Sequence, residues 1–161
     1  MKIIVDSREQ RRLRFPLDHI VTAVKVEAMP VGDYWCEYED GSRPPIVFER
    51  KSLGDLFGTM AGGYPRFKQE IERATARGWR LIIIVEEPLS AVYDGYSYSM
   101  MNGDSCVQKL FTLWLKYNVM PVFCNSRYEA VAYIRELYEA VGRCWKLGDT
   151  GKQDEADEKE S

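Results

Sequence analysis

Zinc-binding and disulfide chemistry have little to work with in this 161-residue chain, which holds one histidine, His19, and four cysteines. Cys36, Cys106, Cys124 and Cys144 lie far apart and form no Cys-x-x-Cys pair, so neither a zinc site nor a disulfide framework is indicated. All four read as small, mostly buried thiols. His19 reads as a loop or packing residue rather than a ligand or general base. No run of about eighteen apolar residues occurs, and the N-terminus lacks the basic, apolar, small-residue order of a secretion signal, so the chain is expected to be soluble and intracellular. Internal repeats are missing too. The apolar content, 45% of residues, suffices for one core and hardly for two, so one domain over 1–147 is expected.

A positive surplus is also missing: 22 basic residues stand against 25 acidic ones, a net charge of −3. The deficit is local. Residues 149–161 hold six acids against Lys152 and Lys159, which leaves the rest of the chain near +1. With few apolar residues to bury, that end reads as an acidic disordered tail over 148–161. In the body the cations cluster: Arg8, Arg11, Arg12 and Arg14 follow the first apolar run, and Arg66, Lys68, Arg73, Arg77 and Arg80 follow a glycine turn. Such clusters suit phosphate contacts, which supply most sequence-independent affinity for nucleic acid; an ordinary solvated face has the same composition.

Acidic residues recur where strands should end. After Gly32-Asp33, the stretch Tyr34-Trp35-Cys36-Glu37-Tyr38, then Asp40-Gly41 with Pro44 and Pro45, then Ile46-Val47-Phe48 reads as strand, turn, strand. Such a hairpin brings Asp33 back beside Glu49. Side chains alternate along a strand, so Glu49 and Lys51 share one face and Arg50 takes the other. Mg²⁺ prefers oxygen ligands and is commonly held by one or two carboxylates with waters and phosphate oxygens, which makes Asp33 and Glu49 candidate ligands. Lys51 on the same face is placed to orient a water or to steady charge developing on a phosphate. Taken alone, Glu49 and Lys51 also make an ordinary solvated pair. At the start of the chain, Lys2-Ile3-Ile4-Val5 is a β-branched run ending in Asp6-Ser7-Arg8-Glu9. An acidic strand tip aims a ligand into a cleft; the alternative is a helix N-cap at Asp6 with Glu9 as its capping-box partner.

Val5-Asp6-Ser7-Arg8-Glu9, Val31-Gly32-Asp33-Tyr34 and Glu49-Arg50-Lys51-Ser52-Leu53-Gly54-Asp55 together resemble the signature of the XPF-type structure-specific endonucleases, GD-Xn-ERK-XXX-D, with every fixed position present. Tyr64-Pro65-Arg66-Phe67-Lys68-Gln69 is similar to that family's Arg-aromatic-x-Gln segment, and the resemblance runs over roughly residues 1–145. It implies a restriction-endonuclease-like α/β core of the PD-(D/E)XK type, a central mixed sheet flanked by helices. It also implies Mg²⁺- or Mn²⁺-dependent hydrolysis of phosphodiesters in branched, flapped or junction DNA, in repair or recombination. The implied roles are metal ligation by Asp33 and Glu49, with Asp6 as a third acidic ligand or water-mediated partner, and water orientation by Lys51. Glu9 and Asp55 are supporting carboxylates, and Arg8 and Arg50 brace them or meet phosphate. Arg11, Arg12, Arg66 and Lys68 are the expected DNA contacts.

Members resembling this chain carry a tandem helix-hairpin-helix module that helps them dimerise and grip DNA. An acidic end stands here instead, the pattern expected either of a fragment of a larger protein or, as the initiator methionine and the tail favour, of a stand-alone nuclease like compact viral or mobile-element versions, acting in the cytoplasm or at the nucleoid, or in host cytoplasm if viral. Two other readings stay open: a Holliday-junction resolvase or restriction-like nuclease on the same core, and a non-catalytic DNA-binding or scaffold subunit. Family pseudo-nucleases tend to lose the acids that are all kept here.

Apolar periodicity predicts strands near 2–6, 21–27, 32–38, 45–51, 80–86 and 119–124, and helices near 52–60, 65–77, 104–117 and 127–144. Leu110, Leu113, Trp114 and Tyr117 fall at helical spacing, as do Val131, Ile134, Leu137, Tyr138 and Val141, and are expected to face the core or the second copy of a homodimer. Residues 88–104 read as a long loop whose Tyr93, Tyr96 and Tyr98 suit either stacking on splayed bases or packing as a lid.

Overall fold

β1 (Lys2–Asp6), β2 (Ala23–Glu27), β3 (Tyr34–Glu37), β4 (Ile46–Lys51), β5 (Arg80–Val85) and β6 (Met120–Phe123) form one mixed sheet in the order β2-β1-β3-β4-β5-β6. A computed structural model describes residues 1–146 of the chain, and the expected tail at 148–161 lies outside the described residues. The middle of the sheet is antiparallel, β1 with β3 and β3 with β4. The outer pairs are parallel and need longer crossovers. Residues 7–22 connect β1 to β2; α1 (Leu53–Met60) and α2 (Tyr64–Ala76) connect β4 to β5; α3 (Leu89–Asp94) and α4 (Gly103–Tyr117) connect β5 to β6. α5 (Arg127–Lys146) follows.

Alternation along the strands feeds two cores. Ile4, Val47, Ile83 and Val85 pack with Leu56, Phe57, Phe67 and Leu110 of α1, α2 and α4. Ile3, Phe48, Ile82 and Ile84 pack with Leu13 and Phe15 of the 7–22 segment and with Ile134 and Tyr138 of α5. β5 lies between the two layers with Leu81 through Val85 all buried, as its unbroken apolar run predicts.

The six expected strands and four expected helices are present within a few residues of their predicted bounds. Three differences matter. Residues 89–94, expected in a loop, form α3, anchored by buried Val92; six residues are too few to display a helical period. The α5 stripe is taken up by the core at Val131, Ile134 and Tyr138, whereas α4 buries Leu110 and Leu113 but leaves Phe111, Trp114 and Leu115 at the surface. Three cysteines are buried as expected, and Cys144 is exposed. Among the described residues no helix is long and apolar enough to cross a membrane.

Candidate active site

Asp33 precedes β3 and holds the β4 backbone on both sides of Glu49. Its N–H donates to Phe48 O at 2.7 Å, and its Oδ2 accepts the Arg50 N–H at 2.8 Å. Gly32 permits this approach: its φ is +79°, and a Cβ there would lie 3.1 Å from both Phe48 O and Val47 Cβ. The pleat of β4 then sends Glu49 and Lys51 toward α1 and α2, and Arg50 toward the opposite layer. Lys51 Nζ lies 3.1 Å from Glu49 Oε1 and 5.3 Å from the centre of the Phe67 ring. Ser52 caps α1, its Oγ accepting the Asp55 N–H at 3.2 Å. That cap sets exposed Asp55 in the first helical turn at the rim of the cleft.

Arg8, Glu9, Asp33, Glu49, Asp55 and Tyr96 are among the residues lining this cleft, whose volume is about 610 Å³. Burial first, and the Glu49 charge second, push the Asp33 carboxyl up to about 8, against the opposing pull of the Arg50 N–H. Glu49 is raised as well, since burial outweighs the neighbouring Lys51 ammonium and Glu70 adds a further negative charge. Asp33 Oδ1 and Glu49 Oε2 receive no donor from the described residues. The Asp33 and Glu49 charges oppose each other, and Lys51 is in contact with Glu49. Hard oxygen donors in that state fit a small divalent cation such as Mg²⁺ or Mn²⁺ and do not fit a soft metal.

The wall behind the carboxylates is an ion-pair chain. Arg50 Nε and Nη2 each lie 3.0 Å from Glu9, and Nη1 lies 3.4 Å from Glu86 Oε1. Only 7% of Arg50 is exposed, its guanidinium held between Glu9 and Glu86. Burial alone would raise Glu9, but the bonds from Arg50 and from the Arg11 N–H, the latter at 2.8 Å, hold it below the usual glutamate range. Glu86 belongs to no motif of the sequence. It also binds Arg127 at 2.8 Å, and the signal available was its position as the first charge after a strand buried on both faces.

Asp6 does not join the other acids. Its Oδ1 accepts from the Met29 N–H at 2.8 Å and Arg8 Nη2 at 3.3 Å, and its Oδ2 from Arg8 Nε at 2.8 Å and the Arg8 N–H at 3.2 Å. Burial works against its charge, but these bonds prevail and its pKa stays below the usual aspartate value. A carboxylate so filled has no oxygen left for a cation, and Asp6 neither lines the cleft nor caps a helix. Among the described residues no three His, Cys, Asp or Glu side chains converge on one metal position. Asp33 and Glu49 are thus the carboxylates that line the cleft with oxygens uncommitted, and Asp6 stands behind them. Arg8, tied to Asp6 and to Met29 O at 2.7 Å, remains 71% exposed at the cleft mouth.

Of the expected DNA contacts, Arg11 lines the cleft, and Arg12 Nε bonds Glu9 O at 3.2 Å. Arg66 is exposed on α2, and Lys68 on the same helix lies 6.0 Å from the Tyr117 ring centre; neither lines the cleft.

The ERCC4 domain matches residues 5–137. This chain belongs to the ERCC4 domain family. It is similar to XPF from Aeropyrum pernix at 20% identity and a TM-score of 0.63, over 91% of this chain and 68% of that one. It is also similar to XPF from Aeropyrum pernix in complex with DNA, at 19% identity and a TM-score of 0.62, over 88% of this chain and 65% of that one. The ERCC4 chain thus spans about two thirds of the length of these relatives. At such identities the likeness shows the fold, a restriction-endonuclease-like α/β core. No curated protein matches the chain.

Proposed function

We propose that this ERCC4-family protein is a Mg²⁺- or Mn²⁺-dependent endodeoxyribonuclease that hydrolyses phosphodiesters in branched, flapped or junction DNA, in repair or recombination. The observation that carries the proposal is the Asp33–Glu49 pair: each has an uncommitted oxygen, and both are pushed toward protonation by burial and like charge, beside Lys51. A divalent cation bound there would supply Lewis acidity toward the phosphate and lower the pKa of a water molecule. Lys51 would orient the attacking water and stabilise negative charge growing on the phosphate oxygens as one P–O bond forms and the bridging P–O bond breaks. Glu9 and Arg50 keep the wall rigid, and Asp6 acts one step back by fixing Arg8 where a phosphate would arrive. Arg11 at the mouth, with Arg12, Arg66 and Lys68 beyond it, would contact the DNA backbone. A homodimer through α4 would supply a second gripping surface.

The test is a cleavage gel of the purified chain on labelled flaps, forks, four-way junctions and plain duplex, with and without Mg²⁺ or Mn²⁺. Metal-dependent incision of branched DNA is expected. Plain duplex cut as fast as a fork would favour the restriction-like reading. Binding without incision under every metal would replace the nuclease by a scaffold subunit.

A further inference from the structure

A second groove, of about 1160 Å³, lies between the segment after β1 and the first turns of α5, and Arg11, Arg12, Arg14, Arg127, Tyr128 and Arg135 line much of it. It shares Glu9, Gln10 and Arg11 with the catalytic cleft, so the two depressions meet along one wall. That wall is rigid. Leu13 and Phe15 are buried, and the Leu13 N–H donates to Tyr34 Oη at 2.8 Å. Arg12 and Arg14, at the alternate positions, are exposed. From the other side Arg127 Nη2 binds Arg11 O at 2.7 Å and Arg12 O at 3.0 Å, while its Nη1 binds Glu86. Two of the segment's carbonyls are thereby covered; Arg12 is held through Nε on Glu9 O, and the Arg11 and Arg14 guanidinium groups remain available.

Two acids line the groove, Glu9 and the exposed Glu136, against five arginines. Glu9 is committed to Arg50, and Arg135 is paired with Asp18 at 2.6 Å. Arg11 and Arg14 have no carboxylate partner among the described residues. Tyr128 stands 82% exposed in the same groove. Guanidinium groups on a fixed wall with an exposed ring beside them match the two demands of a single nucleic-acid strand, phosphates to neutralise and bases on which to stack. Arg14 and Tyr128 line this groove and not the carboxylate cleft.

We propose that this groove seats the single-stranded arm of a branched DNA as the arm leaves the cleft, with phosphates on Arg11, Arg12 and Arg14 and a base on the Tyr128 ring. The identity of the arm rests on the nuclease reading; the binding itself does not. The experiment is fluorescence anisotropy without metal, comparing a forked DNA that has an oligothymidine arm with a blunt duplex of equal paired length, at several salt concentrations. Arg14→Ala combined with Tyr128→Ala is expected to weaken binding of the fork about tenfold, to lower its salt slope by about one, and to change blunt-duplex binding by less than about twofold. Arg14→Lys alone should keep the salt slope. An equal loss on both DNAs, or no loss on the fork, overturns the proposal. Because no step requires cleavage, failure of the nuclease reading would appear separately, as wild-type protein that binds the fork and never cuts it.

Discussion

Asp33 is bonded to the backbone of the strand that carries Lys51, yet removal of the two should fail differently. Asp33→Asn keeps an oxygen to accept the Arg50 N–H but loses the charge a cation needs, so cutting should fall by roughly 10³-fold or more and Mn²⁺ binding by calorimetry should weaken with it. Lys51→Ala should also stop cutting while Mn²⁺ binding is kept, since both carboxylates remain. Either variant cutting branched DNA at near the wild-type rate would remove this site. Titration separates the roles further. Asp33, raised from 3.8 to about 8, holds a proton in the folded, metal-free protein that the unfolded chain releases in acid. Its contribution to stability is full below about pH 4 and is lost as pH rises through about 8. Asn has no proton to lose. Metal-free Asp33→Asn should therefore melt above wild type at alkaline pH, by about 1–2 kcal/mol or roughly 3–6 °C, with the gap closing toward pH 4. A gap that does not change with pH would show that Asp33 is not strained by its neighbours. The meeting of Asp33 with the Glu49–Lys51 strand is legible in the sequence because pleat and hairpin are local rules; the bonding of Asp6 is not, because its carboxylate is claimed by an amide 23 residues away.

α3 shows what local rules miss. Its position is set by a contact between backbones: a Cβ on Gly103, the first residue of α4, would lie 2.2 Å from Tyr93 O and 2.4 Å from Val92 O. No side chain can rotate to relieve that overlap, so Gly103→Ala must move α3 away from α4. The cost should be about 2–3 kcal/mol, a Tm lower by roughly 5–10 °C. Tyr96, two residues beyond α3, lines the cleft and packs on Phe57, so the displacement should also reduce cleavage more than the lost folded fraction accounts for. An unchanged Tm by calorimetry would mean that the two helices are not seated this way. The other helices announced themselves through eight or more residues of apolar period or, for α1, through Ser52 and Asp55 at its start; α3 has neither length nor a side-chain cap.

For the whole molecule, the quantity to measure is the number of copies. Two apolar stripes suggested a dimer surface, and the sequence held nothing to show which one the protein's own core would consume, because that depends on how deeply each helix sits on the sheet. α5 is consumed, through Ile134 and Tyr138 against Phe48 and Ile82. α4 is not: Phe111 and Trp114 hold their rings 6.5 Å apart at the surface, and Leu115 beside them is 86% exposed. Aromatic and leucine side chains grouped on one helix face are what a twofold interface buries at its centre, where each copy offers the same patch to the other. Leu115→Glu places a charge in that centre without touching the core, so the monomer should keep its melting temperature. Light scattering at micromolar concentration should then read two copies for wild type and one for the variant. Binding to branched DNA should weaken with the loss of the second copy, while the intrinsic site, with Asp33, Glu49 and Lys51 all within one chain, should still cut at high enzyme concentration. A wild-type protein that scatters as a monomer and is fully active would place the α4 patch outside any self-contact.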